Sequence, residues 1–222
     1  MMIISGATQI AVDITSGEKD RKTIQTLLMS PVGRKEIAAA KILVVATASF
    51  ANCIINLLSI AISFNFLPKS PDMSIVSAIS PSACLIAMAV LIPFIIFSSS
   101  LLIVLGFAAK NQVEAGIFTM PVIMIGMMSG ISVSSLDISS INIASAFIPF
   151  YGTAVSIKTV FASSGNLVFA AVSSAACLIY AGILAFAASR LFLCEAVAFS
   201  GISDIVMGQI KNKLASFKKR KK

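Results

Sequence analysis

The chain is predicted to be an all-α integral membrane protein with four full transmembrane helices, an N-terminal helix stub and an external re-entrant region. Three observations predict this. Hydrophobic residues make up 58% of the 222 positions and charged residues only 12%, with a mean hydropathy of +0.99, which excludes a soluble globular domain. The charges gather at a few places and leave residues 42–68, 73–109, 115–136 and 159–189 without any. Each gap supplies the roughly 20 residues that a helix needs to cross the hydrocarbon core. Four crossings also put both ends on one side, and all but Lys69 and Lys158 of the 17 basic residues then fall on that side. The positive-inside rule makes this a multi-pass protein of the cell membrane with both termini cytoplasmic.

Residues 1–15 read as the end of a truncated membrane helix. The stretch MMIISGATQIAVDI is apolar but too short to span, and it carries Asp13 near its end. It lacks the basic leader and small-residue cleavage site of a signal peptide. It looks like the cytoplasmic end of a spanning helix, or else a short anchor lying in the interface.

Residues 16–41 are the most charged part of the front half, with Lys19, Arg21, Lys22, Arg34, Lys35 and Lys41 against Glu18, Asp20 and Glu36. Ile24, Leu27 and Leu28 fall at i, i+3 and i+4, so a helix started near Gly17 gathers them on one face and the charges on the other. Ser30-Pro31-Val32-Gly33 breaks that helix, because Pro31 disfavours helical geometry at Ser30 and Gly33 permits a turn. A second helix can start at Arg34 and run through Ala38, Ala39 and Ala40 into the apolar segment beyond. The amphipathic piece reads either as an interfacial helix facing anionic membrane lipid or as a docking element that offers its apolar face to a partner's groove.

The four-helix transmembrane region occupies residues 42–192. Its first helix, about 42–67, carries Ser49, Asn52, Asn56, Ser59 and Ser63 at spacings of 3, 4, 3 and 4, which makes a single polar stripe. Asn in hydrocarbon is costly without a partner, so the stripe faces other helices, as packing contacts or as a substrate path. The second helix, about 82–107, contains Pro93, where a kink is expected. Lys110-Asn111-Gln112-Val113-Glu114 forms a tight turn into the third, about 115–133, with Pro121 and Met120, Met124, Met127 and Met128. Those methionines point to adaptable packing rather than to a metal or redox site. Residues 134–166 are less hydrophobic, with Pro149 and Gly152 as breakers and two short helical candidates, 139–147 and 153–162. They read as external or re-entrant. The fourth helix, about 167–191, leads into a basic cytoplasmic tail, 193–222, suited to anionic lipid rather than to nucleic acid.

The chain has no histidine, which removes His-based acid–base and metal chemistry, and it has no G-x-x-x-x-G-K-[ST] phosphate loop. Cys53, Cys84, Cys177 and Cys194 are isolated in or beside apolar helices and form no C-x-x-C pair. No carboxylate sits at mid-depth in any of the four helices, as a proton relay or an intramembrane hydrolase would need. No catalytic residue, metal site or cofactor is expected on this chain, and an intramembrane enzyme is disfavoured.

The run Val12, Asp13, Ile14, Gly17, Glu18, Lys19, Thr23, Leu27, Leu28, Ser30, Pro31, Val32, Arg34, Glu36, Ile37 and Lys41 resembles the corresponding segment of type-2 ABC exporter permeases, most closely those of the sodium-efflux type. The turn from Asn111 to Pro121 with its Glu114-Ala115 pair, and Ile148-Pro149-Phe150, are similar too. The resemblance runs over about residues 10–193 and corresponds to the C-terminal portion of a six-helix permease. It implies that residues 16–41 form a cytoplasmic coupling-helix loop. In it Glu18, Arg21 and Lys22 make polar contacts, and Ile24, Leu27 and Leu28 fill a groove on a separate ABC ATP-binding subunit, which carries the ATP and Mg. It further implies a second permease copy or a missing N-terminal half as partner, and efflux of sodium or another small substrate. The alternative is a non-transporting membrane anchor or scaffold, or an inactive permease fragment.

Overall fold

A computed structural model describes residues 2–21, 23, 33–66, 81–135, 143–161 and 167–193. Among the described residues there are six α-helices and one 3-10 turn, and no strand. They are α1 (Met2–Asp20), α2 (Arg34–Phe66), α3 (Pro81–Ala108), α4 (Gln112–Ser134), the 3-10 turn Ile143–Phe147, α5 (Pro149–Phe161) and α6 (Leu167–Leu193). Four of them are long and apolar enough to cross a membrane, over Glu36–Ser59, Leu85–Ala108, Gln112–Ser134 and Leu167–Leu191. These are the four spans that the charge-free gaps predict.

The α3 helix is central and touches α1, α2, α4, α5 and α6. It is apolar all round, with most of its surface buried and Leu85, Ile92 and Ile96 exposed, and it continues through Pro93, which is itself buried. Its lower half packs Leu102, Ile103 and Phe107 with Ala7 and Ala11 of α1, Ile42 and Val45 of α2 and Ala188 of α6. Ser98, Ser99 and Ser100 are all buried there. They donate back to Ile95 O (3.1 and 2.7 Å) and Ile96 O (2.9 Å), so the three hydroxyls are satisfied within their own helix.

The sequence marks α1 as a stub; the structure packs one of its faces into the bundle and leaves Ser5, Gly6, Gln9, Asp13 and Asp20 exposed. It lies against α2, α3 and α4 and buries Ile4, Ala7, Ala11, Val12, Thr15 and Ser16. Small residues on that face let backbones approach closely. It also runs on past Ile14 to Asp20, so Glu18, Lys19 and Asp20 form its last turn and not the first turn of a separate helix. Whether residues 24–29 are helical lies outside the described residues, as does the basic tail.

The segment before α6 differs from its sequence reading in a definite way. Pro149 does not break a helix but begins one, since the first helical position needs no N–H and Pro has its φ preset there. Gly152 is inside α5, and a Cβ on it would stand 2.7 Å from the Ala146 carbonyl oxygen. The 3-10 turn therefore rests directly on the helix that follows it. Gly152→Ala is expected to lower stability by about 1–3 kcal/mol, because the clash is with backbone that cannot swing away. A thermal melt of the detergent-solubilised protein that matches wild type would refute this.

α5 is tied down along its whole length. At its start, Phe150 makes edge contacts with Phe94 and Phe97, with centroids 5.8 and 5.7 Å apart. Those phenylalanines lie about 20–24 Å along α3 from its first residue at 1.5 Å per residue, so the N-terminus of α5 dips well into the bundle. In the middle, the Ser156 and Ser173 hydroxyls share a buried 2.7 Å hydrogen bond. Near its end, Lys158 Nζ donates to Val133 O (2.7 Å) and Ser134 O (3.1 Å), the terminal carbonyls of α4. A double-mutant cycle on Ser156→Ala and Ser173→Ala is expected to give a coupling of about 0.6–1.7 kcal/mol, the range of such bonds between membrane helices. Additive single mutants would show the bond to be inert.

The four methionines of α4 are not packed inside. Met120, Met124, Met127 and Met128 are 52–70% exposed, while the helix buries Ala115, Thr119, Gly126 and Val133. The bundle needs small side chains to bring α4 close to α1 and α5, so the small-residue face turns inward and the bulky one outward.

Candidate functional site

The chain's charged groups converge where α1 ends, α2 begins and α3 turns into α4. The turn itself is built locally. Asn111 caps α4 from an extended conformation and its side chain accepts from Glu114 N at 2.8 Å. Glu114 reaches back to accept from Lys110 N at 2.7 Å, a capping-box exchange displaced by one residue. That leaves the backbone donor of Gln112 and the last carbonyls of α3 to be satisfied from elsewhere.

The last turn of α1 satisfies both. Lys19 Nζ donates to Phe107 O (2.6 Å) and Ala109 O (2.8 Å) at the end of α3. The neighbouring Asp20 accepts from Gln112 N (3.0 Å) at the start of α4. A cation is thereby set on a helix C-terminus and an anion on a helix N-terminus, which is the favourable sense for both helix dipoles. Asp13, one to two turns earlier on α1, accepts from Gln112 Nε2 at 2.8 Å. Gly17 lies against the same glutamine; a Cβ there would stand 2.6 Å from its Nε2. Burial brings the Lys19 ammonium down to about 8, with the Glu114 carboxylate opposing that shift.

The start of α2 is tied to the same turn of α1. Lys41 is buried, pairs with Glu18 Oε2 at 2.6 Å and also donates to Ile14 O. The stretch between α1 and α2 therefore leaves and returns at one end of the bundle, with its two roots clamped together.

The predicted docking residues divide accordingly. Glu18 points inward, with Oε2 closed off from solvent and engaged by Lys41, so it braces the chain internally. Arg21 points outward with its side chain 71% exposed, 3.9 Å from the Asp13 carboxylate. Lys22, Ile24, Leu27 and Leu28 lie outside the described residues. Lys41, Lys110 and Gln112 had no assigned role in the sequence reading. The sequence could not supply the partners of Lys19 and Asp20, because they lie some ninety positions away, whereas Glu114 binds within its own turn.

The polar stripe of α2 is a separate place. Ser49 is buried and donates to Val45 O (2.7 Å). Asn56 Nδ2 donates to Asn52 O (2.8 Å) and Asn52 Oδ1 (2.9 Å). The Asn52 amide lies against Gly6 of α1. Ser59 is exposed, and the side chain of Ser63 is outside the described residues. Gly6 and Glu18 are about 18 Å apart along α1, so the stripe and the charged cluster do not form one site. Among the described residues no three Cys, Asp or Glu side chains converge to hold a metal.

Comparison with known proteins supplies the remaining finding. The family model described as "ABC-2 family transporter protein" matches residues 1–191. Over 61 residues the chain is 44% identical to the ABC transporter permease protein NatB of Bacillus subtilis (strain 168), a stretch that is 28% of this chain and 16% of that protein. The chain thus matches well under two thirds of that relative's length. No solved structure matches.

Proposed function

The chain belongs to the ABC-2 family of transporter proteins, and from that premise we propose that it is the membrane-spanning permease subunit of an ABC exporter. ATP and Mg bind on a separate ATP-binding subunit, and the stretch after α1 docks on it as a coupling element through Ile24, Leu27 and Leu28, with Arg21 and Lys22 at the rim. The observation that carries this reading is the clamp of Lys41 on Glu18 and Ile14, which brings both roots of that stretch to one end of the bundle. A rigid root is what a coupling element needs, since a push on a loosely tethered loop is absorbed before it reaches the helices. In this reading the clamped end and both termini face the cytoplasm, in line with the distribution of the basic residues. A second permease subunit completes the transporter, with lipid or that partner along the methionine face of α4.

Sodium or another small substrate is the proposed cargo, supported by the resemblance of residues 12–41. The test is to purify the chain from mildly solubilised membranes of its own host and identify any co-purifying subunit that has a G-x-x-x-x-G-K-[ST] loop. Sodium efflux is then assayed in vesicles that contain both. A permease recovered with no ATP-binding subunit would favour the anchor or scaffold reading instead.

A further inference from the structure

We propose that Lys19 and Asp20 make the α3–α4 turn a second moving part of the transporter, driven by the last turn of α1. This rests on the reading of the α1–α2 connection as the docking element. α1 and the α3–α4 turn are far apart in sequence, yet four polar contacts join them: Lys19 to Phe107 O and to Ala109 O, Asp20 to Gln112 N, and Asp13 to Gln112 Nε2. Three of the four are made to or from backbone atoms of the turn and of the helix ends that flank it, so they grip the chain itself and not a swinging side chain. Both charges also complement a helix dipole, and the Lys19 arm is half-buried, where solvent screens it little.

The turn has no slack of its own. Only Ala109, Lys110 and Asn111 separate α3 from α4, and the Asn111–Glu114–Lys110 exchange fixes their geometry. A displacement of α1's last turn is therefore passed at once to the ends of both helices. α3 is the most enclosed helix of the bundle, and α4 carries the outward methionine face. Lys19 is thus a positioning residue that acts through the turn and has no direct contact with the ATP-binding subunit.

The experiment uses the full permease with its ATP-binding subunit in nanodiscs, with Cys53, Cys84, Cys177 and Cys194 replaced by Ala. Paired spin labels are placed at Val113→Cys and Arg190→Cys to report on the turn, and in a second sample at Thr23→Cys and Arg190→Cys to report on the end of α1. ATP is expected to change both distances. In Lys19→Met the Thr23 distance still changes, the Val113 change is lost, and the ATP-binding subunit remains bound. Lys19→Arg, which keeps the charge and the donors, restores the Val113 change. Asp20→Ala, at an exposed position, reduces it and provides the test if Lys19→Met does not fold. A Val113 distance that ignores ATP in the native complex overturns the proposal, as does one that responds fully in both Lys19→Met and Asp20→Ala. Failure of the docking reading looks different: neither label then responds to ATP in the native complex.

Discussion

Replacing Leu27 and Leu28 with Asp is expected to release the ATP-binding subunit while the permease still inserts. A leucine fully buried in a partner's groove contributes about 1.5–3 kcal/mol. A carboxylate in its place must be desolvated with no counter-charge. Two such changes should weaken association by at least about 100-fold, a tenfold loss corresponding to about 1.4 kcal/mol. Insertion is set by the four apolar spans, none of which includes residues 27 or 28. The measurement is recovery of the ATP-binding subunit with tagged wild-type and double-mutant permease, alongside membrane fractionation. Equal recovery of the subunit with both would remove the docking model and leave the lipid-facing interfacial helix in its place.

The second large effect is expected from Lys41→Met. Lys41 is almost wholly enclosed and its ammonium holds both Glu18 Oε2 and the Ile14 carbonyl. Breaking a buried ion pair from one side leaves an uncompensated charge and costs about 3–5 kcal/mol, whereas removing both charges is far less damaging. Lys41→Met alone should therefore lower the melting temperature of the solubilised protein sharply, and adding Glu18→Gln should recover most of the loss. If the double variant is as unstable as the single one, the pair is not what joins α2 to α1. The same two proteins separate the bracing role of Glu18 from a docking role. If Glu18 also met the ATP-binding subunit, the stability-rescued double variant would still fail to retain it.

The division between what was readable and what was not follows the range of the forces involved. The four spans were legible because crossing hydrocarbon is a local demand: a run of about 20 residues either lacks charge or does not. The start of α2 at Arg34 was legible for a similar reason, since Gly33 frees the backbone where it stands. The stripe from Ser49 to Ser63 was legible as a face, because a period of 3.6 needs no knowledge of neighbours. That its inner end meets Gly6 was not.

At Pro149 and Gly152 the same kind of local rule misled. Pro stops a helix from inside but starts one at its first position, and Gly152 is accommodated in a helix because the 3-10 turn just before that helix packs its Ala146 carbonyl against it. The methionines of α4 show the limit again, since periodicity says that a face exists but not which way it turns. By itself, then, the sequence determined the class, the number of spans and the family resemblance. Only the tertiary structure decided that one face of α1 packs into the bundle, that Glu18 belongs to Lys41, and that Lys19 and Asp20 hold the ends of α3 and α4. The pairing of a charge depends on groups brought near by packing, and Lys19 finds its acceptors at Phe107 and Ala109 only because α1 and α3 approach closely where Thr15 lies against Gly106.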